Sequence, residues 1–193
     1  MRDTALLVID VQKGLDESRL GRRNNPAAEA NMAALLAAWR ERGLPVVHVH
    51  HDSVEPDSPL RPGLPGNEVK DEVRPLPAEA QFRKSVNSAF IGTGLEEYLK
   101  RQGLTSLVVV GLTTEHCVST SVRMAANLGF EVTLVDDATA AFEHRDRDGA
   151  LHRADTVHRV NVASLDGEFC TVRSTAQVLH RLAPVADRPR EGV

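Results

Sequence analysis

The sequence predicts an α/β fold, a parallel sheet covered by helices on both faces, and three observations carry that prediction. Short apolar runs alternate with amphipathic stretches along the chain. The runs are apolar throughout rather than at every second residue, as in strands buried between two helical layers. Gly43, Gly103 and Gly129 each separate a helical stretch from the strand that follows, the junction expected of crossover connections.

Taken in order, 4–10 is an apolar run stopped by Asp10, which puts a carboxylate at the carboxyl end of the first strand. The spacing of Met32, Leu35, Leu36 and Trp39 predicts a helix over 28–42, closed by Arg40, Arg42 and Gly43. A second strand covers 45–51. Six of the ten prolines then fall between Asp52 and Arg83, and a connection of that length and composition suggests a lid, a binding loop or an interface arm. A short strand is expected over 81–86, a helix capped by Thr93 over 94–102, and the most apolar strand over 105–111. After a polar turn come a helix over 117–128, a strand over 130–137, a helix over 146–163, a strand over 169–172 and a helix over 175–182. One domain over 1–183 accommodates all of this, with 184–193 as a loose tail.

Composition narrows the function classes. With 41% hydrophobic and 26% charged residues in a chain of 193, this is an ordinary globular sequence. Its net charge of −4 is scattered and forms no basic stripe, so neither nucleic acid nor an anionic membrane surface is an expected partner. No apolar run approaches the roughly 20 residues that span a bilayer, and no signal-peptide core precedes the first strand, so a cytoplasmic location is expected. The two cysteines, Cys117 and Cys170, lack metal-ligand spacing and are expected to stay free, Cys170 as a small buried hydrophobe.

In an open parallel sheet the reactive crevice lies at the carboxyl ends of the strands. Asp10, Lys84 and Cys117 all fall there. A thiol at a helix start, with a lysine nearby, is expected to have a depressed pKa and to act as a nucleophile. Asp10 could take its proton, and amides of the 112–117 turn could hold an oxyanion. Singly, each has a plainer reading: a strand-end Asp caps a turn, and a lone lysine is solvated. The combination favours chemistry.

Three blocks carry a resemblance: Leu7-Val8-Ile9-Asp10-Val11-Gln12; Lys84-Ser85-Val86-Asn87-Ser88-Ala89-Phe90 with Gly92-Thr93-Gly94-Leu95; and Gly111-Leu112-Thr113-Thr114-Glu115-His116-Cys117-Val118. In order and spacing, from residue 4 to about 182, the chain resembles the isochorismatase-like cysteine hydrolase superfamily. The resemblance implies a three-layer α-β-α sandwich around a six-stranded, mainly parallel sheet of Rossmann-like topology. It also implies a triad in which Cys117 is the nucleophile, Asp10 the base and Lys84 the cation that holds both. It further implies a cis peptide between Leu112 and Thr113, and an oxyanion hole formed by the Thr113 and Cys117 amides.

The nicotinamidase branch binds a divalent metal through an Asp-x-His pair, but here Asp52 is followed by Ser53 and Val54, so no metal or other cofactor is expected. His48, His50 and His51 are then strand-end packing and hydrogen-bonding groups, with at most one facing the pocket. His116 is read as a pocket wall more than a catalyst, Gln12 and Phe90 as substrate contacts, and Asp136 and Asp137 as turn caps. The expected reaction is hydrolysis of a C–N bond in a small amide or lactam through a Cys117 thioester, nearer to carbamoylsarcosine-type and streptothricin-lactam-type enzymes than to nicotinamidase. One alternative is a vinyl ether hydrolase using Asp10 as acid; another is a non-catalytic binding or assembly protein on the same fold. Members commonly assemble, so a homo-oligomer is expected, with the 52–83 segment able to reach a neighbour.

Overall fold

The computed structural model describes residues 3–183; the expected tail at 184–193 lies outside them. Six strands form one parallel sheet: β1 (Thr4–Ile9), β2 (Val46–His51), β3 (Ala80–Lys84), β4 (Ser106–Leu112), β5 (Glu131–Ala140) and β8 (Thr171–Arg173). Two short strands, β6 (His144–Arg145) and β7 (Leu151–His152), make a separate antiparallel pair. The sheet order is β3-β2-β1-β4-β5-β8. The chain therefore winds outward from β1, returns to place β4 on the other side of β1, and winds outward again. The point where the order reverses, between β1 and β4, is where such sheets open a crevice.

Each face has its own core. Ala5, Leu7 and Ile9 of β1 pack with Val109 of β4 beneath α2 (Leu95–Arg101), α3 (Ser119–Asn127) and α4 (Ala154–Leu165). Leu6 and Val8 point the other way, into a cluster closed by α1 (Ala28–Glu41) and α5 (Thr175–Leu182). Every residue of β1 is buried, which is why its sequence carries no polar alternation. Among the described residues no helix is long and apolar enough to cross a membrane.

Two elements differ from expectation. The helix expected from residue 146 begins at Ala154, because Asp146 caps a tight turn instead: its Oδ1 accepts from the amides of Asp148 and Ala150, and Gly149 takes a φ of +85°. The strand expected to end at Asp137 continues to Ala140 through a register shift, Val109 facing Leu134 but Gly111 facing Thr139. Asp136 and Asp137 thus lie within β5 and serve the backbone. Asp136 Oδ1 accepts from the Asp137 amide, and Asp137 Oδ1 accepts from both the amide and hydroxyl of Thr175, fixing the start of α5.

The proline-rich connection is pinned at its centre. The Gln12 amide donates to the carbonyls of His51 and Asn67, and its oxygen accepts from the His51 amide. Asn67 in turn donates to the carbonyls of His51 and Leu60 and to Asp52.

Candidate active site

Asp10 ends β1, and its backbone is left-handed, with φ at +52°. Aspartate tolerates that region better than most residues, but a buried one there is a local cost that the surrounding bonds must offset. The Asp10 amide donates to Val49 and its carbonyl accepts from Gln12, so the turn holds the carboxylate over the crevice. Gly111 makes the adjacent strand compatible. It pairs with Ile9, its φ is +133°, and a Cβ there would lie 2.1 Å from the Ile9 carbonyl oxygen. Only glycine fits that approach.

Lys84 comes from edge strand β3, two strands or roughly 10 Å from β1. Its side chain is 0% exposed and spans that gap. The ammonium has three hydrogens and meets three acceptors: Asp10 Oδ2 at 2.5 Å, His51 Nδ1 at 3.1 Å and Cys117 Sγ at 3.2 Å. The second carboxylate oxygen, Asp10 Oδ1, is buried without a hydrogen-bond partner.

Cys117 sits inside a π-helical turn, Thr114–Val118, between β4 and α3. The Thr113 carbonyl closes this turn by accepting from the amides of His116 and Val118, and the Leu112–Thr113 peptide bond is cis. The thiol departs from expectation. Burial pushes its pKa up to about 12, the Asp10 charge adds to that, and the opposing pull of Lys84 is too small to reverse it. The group is a half-buried protonated thiol, because the expectation weighed a helix start and a lysine but not desolvation or a carboxylate within 4.8 Å. Asp10 is also raised, by burial first and against the attraction of Lys84.

His51 is the site residue that the sequence reading left unassigned. Burial, then the Lys84 charge, lower its pKa to about 4, so near neutrality its Nδ1 carries a lone pair for the ammonium. The strand register was the available signal: His51 pairs directly with Lys84. His48 and His50 project from β2 toward the α1 face instead, where His48 Nε2 donates to Glu79 Oε2 at 3.0 Å and burial lowers both pKa values, that of His50 to about 4.

One ligand atom each of Asp10, His51 and Cys117 lies within 4.8 Å of the others, which is compact enough for a metal. The Lys84 ammonium, however, is in hydrogen-bond contact with all three residues, so the cation these groups surround is the lysine.

The expected substrate contacts do not all reach this crevice. Gln12 is 0% exposed and its donors and acceptor are taken up by the His51 backbone at the end of β2 and by Asn67 of the connection, so it is a clamp rather than a substrate contact. Phe90 stacks on Phe130 with centroids 6.0 Å apart; Phe130 precedes β5, at the amino edge of the sheet opposite Asp10. His116 is exposed and packs edge-on against His144, 5.5 Å between centroids, and lines a separate cavity to which Asp10, Lys84 and Cys117 do not contribute. Cys170 is 8% exposed, and burial raises its thiol to about 11, as befits a core residue.

Residues 4–167 match the isochorismatase domain family. The uncharacterized isochorismatase family protein YrdC of Bacillus subtilis is 45% identical over 176 residues, covering 91% of this chain and 94% of that protein. A streptothricin hydrolase of Streptomyces noursei is 34% identical over 193 residues, covering 98% and 73%. The ureidoacrylate amidohydrolase RutB of Agrobacterium fabrum is 28% identical over 220 residues, covering 96% and 93%. Among solved structures, an isochorismatase-family protein from Chromobacterium violaceum superposes with a TM-score of 0.91 at 48% identity, covering 94% of each chain.

Proposed function

Because the chain belongs to the isochorismatase family of hydrolases, we propose that it cleaves the C–N bond of a small amide or lactam with Cys117 as nucleophile. One observation carries the proposal: the Cys117 thiol and the Asp10 carboxylate, through its Oδ2, share a single buried ammonium, Lys84, while the other carboxylate oxygen, Oδ1, is left without a hydrogen-bond partner. The relatives named streptothricin hydrolase and ureidoacrylate amidohydrolase support the amide class.

In this reading Sγ attacks the substrate carbonyl as its proton passes to Asp10, whose raised pKa makes the carboxylate a better acceptor than an exposed one. Lys84 stays charged and holds both partners in register while its third hydrogen rests on His51. The oxyanion is taken by the amides of Thr113 and Cys117, each such donor contributing about 3 kcal/mol in comparable sites. Collapse breaks the C–N bond, the amine leaves with the proton from Asp10, and a thioester remains. Water then loses a proton to Asp10, attacks the thioester, and releases the acid as the thiol recovers its proton. A protonated thiol suits this sequence because nucleophile activation and leaving-group protonation use the same proton.

The test is release of ammonia or amine from a panel of small amides, lactams and carbamoyl compounds. Cys117→Ala and Asp10→Asn are each expected to lower kcat/KM by about 10³ or more with the fold intact. A vinyl ether mechanism with Asp10 as acid predicts instead that Cys117→Ala keeps its activity while Asp10→Asn loses it.

A further inference from the structure

The Thr114–Val118 turn buries Thr114 and Val118 and leaves Cys117 half-buried at the crevice. Side chains four apart on a helical turn share a face, so these two are the turn's grip on the core. Val118 packs in one apolar cluster with Val122 of α3 and Leu165 of α4. Apolar contact is non-directional and does not by itself fix how the turn is rotated. Thr114, 0% exposed, supplies a directional contact: its Oγ1 and the Nδ1 of His158 form a hydrogen bond of 2.9 Å across 44 positions of sequence.

His158 is the unusual partner. It lies on the inward stripe of α4 with Ala154 and Leu165, where helical spacing calls for an apolar residue. The ring is buried, and burial lowers its pKa against the pull of Asp136, Glu115 and Asp155, so near pH 7 it is neutral. An imidazole placed there loses its hydration, and the bond to Thr114 offsets that loss. Two apolar side chains of the same shape would join α4 to the turn with similar stability. What the polar pair adds is direction. The crevice has a use for it, since Lys84 Nζ meets Cys117 Sγ at 3.2 Å and ligand atoms of Asp10 and Cys117 lie within 4.8 Å of each other. Displacing the turn by about 1 Å would spoil both alignments, and misplacements of that size cost on the order of a hundredfold in rate.

We infer that His158 is a positioning residue for the nucleophile: through Thr114 it locks the turn in the rotation that presents Cys117 Sγ to Asp10 and Lys84. This role rests on the amide-hydrolase reading for what Cys117 does, but not for where Cys117 is held.

Two measurements on the full chain test it. In hydrolysis of the amide panel, His158→Leu is expected to lower kcat by about tenfold to a hundredfold while KM stays within about twofold of wild type. His158→Asn, whose side-chain amide puts a polar atom where Nδ1 stands, should regain most of that kcat. Labelling by iodoacetamide at pH 8, mapped to each cysteine by mass spectrometry, needs no substrate. Freed from burial and from Asp10, Cys117 of His158→Leu should label about tenfold faster or more than in wild type. Cys170, a core thiol, should keep its slow rate and so report an intact fold. Thr114→Val/His158→Leu separates direction from stability: its urea midpoint should return toward wild type while kcat stays low and Cys117 labelling stays fast. If His158→Leu fails the circular dichroism check for folding, Thr114→Val, nearly isosteric, carries the same expectations from the other end of the bond. The assignment is overturned if Cys117 of the folded single variant labels at the wild-type rate, or if the double variant regains kcat together with its stability, which is a packing role alone. Failure of the amide reading has a different signature: the wild type hydrolyses nothing in the panel, yet Cys117 labelling still accelerates in His158→Leu, a result that upholds the positioning role.

Discussion

At the scale of single residues, the side chain with most at stake is Lys84. Its ammonium is the cation holding Asp10, and both groups are essentially shut off from solvent. Lys84→Met would leave a buried carboxylate without its counter-charge, and is expected to destabilise the protein by about 3–5 kcal/mol in urea unfolding. Asp10→Asn/Lys84→Met should recover much of that loss, because it removes both charges. His51 works through Lys84 rather than on substrate. His51→Leu strands one ammonium hydrogen and is expected to cost about 1–3 kcal/mol of stability. His51→Asn, whose side-chain oxygen can accept, should recover part of it in the same assay. The ranking of effects on Cys117 explains the failed sequence expectation. Helix-start and lysine effects were legible from residue order, but burial and the approach of Asp10 depend on residues more than 100 positions apart meeting in space.

Among elements, the β1–β4 pair sets the precision of the site. Gly111→Ala would drive a methyl group against the Ile9 backbone, with contacts as short as 2.1 Å, and the φ of +133° disfavours alanine as well. Expected outcomes are an unfolding free energy lower by about 3 kcal/mol or more and loss of activity, since Asp10 hangs on that strand. At the far end of β5, Asp137→Ala removes two 2.7 Å bonds to Thr175 and is expected to cost about 1–2 kcal/mol, seen as faster amide exchange in the first turn of α5. Strands and helices with both ends marked were readable. The observed bounds of α5 are those expected, 175–182, and its start is fixed by a capping box between Ser174 and Gln177. The start of α4 was missed because Asp146 and Gly149 make a local turn that outcompetes a helical pattern of only moderate strength.

For the molecule as a whole, the buried titratable groups predict how stability depends on pH. His50 and His51 have folded pKa values lowered from 6.5 to about 4, by burial first. The unfolded chain therefore binds more protons in that window, and stability is expected to fall as pH drops from 6.5 toward 4. Burial raises Glu29, but hydrogen bonds from Arg23 and Lys70 outweigh it and hold the group at about 2 rather than 4.5. Its contribution, of order 3 kcal/mol, is complete above 4.5 and lost on acidification toward 2. Asp10 works in the opposite sense, since its raised pKa favours the fold while the carboxyl is protonated and is lost as pH rises through that value. Urea midpoints followed through both windows should show two successive losses, and Glu29→Gln should flatten the more acid one.

By itself the sequence determined the order of the six sheet strands and the five α-helices, the family, and the three strand ends that bring Asp10, Lys84 and Cys117 together, while the β6–β7 pair went unread. These follow from local patterns: continuous apolar runs, helical periodicity, and polar residues where such runs stop. The tertiary structure alone decided the protonation of the thiol, the enlistment of His51, the diversion of Gln12 and Phe90 into scaffolding, and the bond between Thr114 and His158. Each of these depends on desolvation or on which donors and acceptors remain after the backbone has taken its share. Those quantities exist only once distant segments have packed against one another.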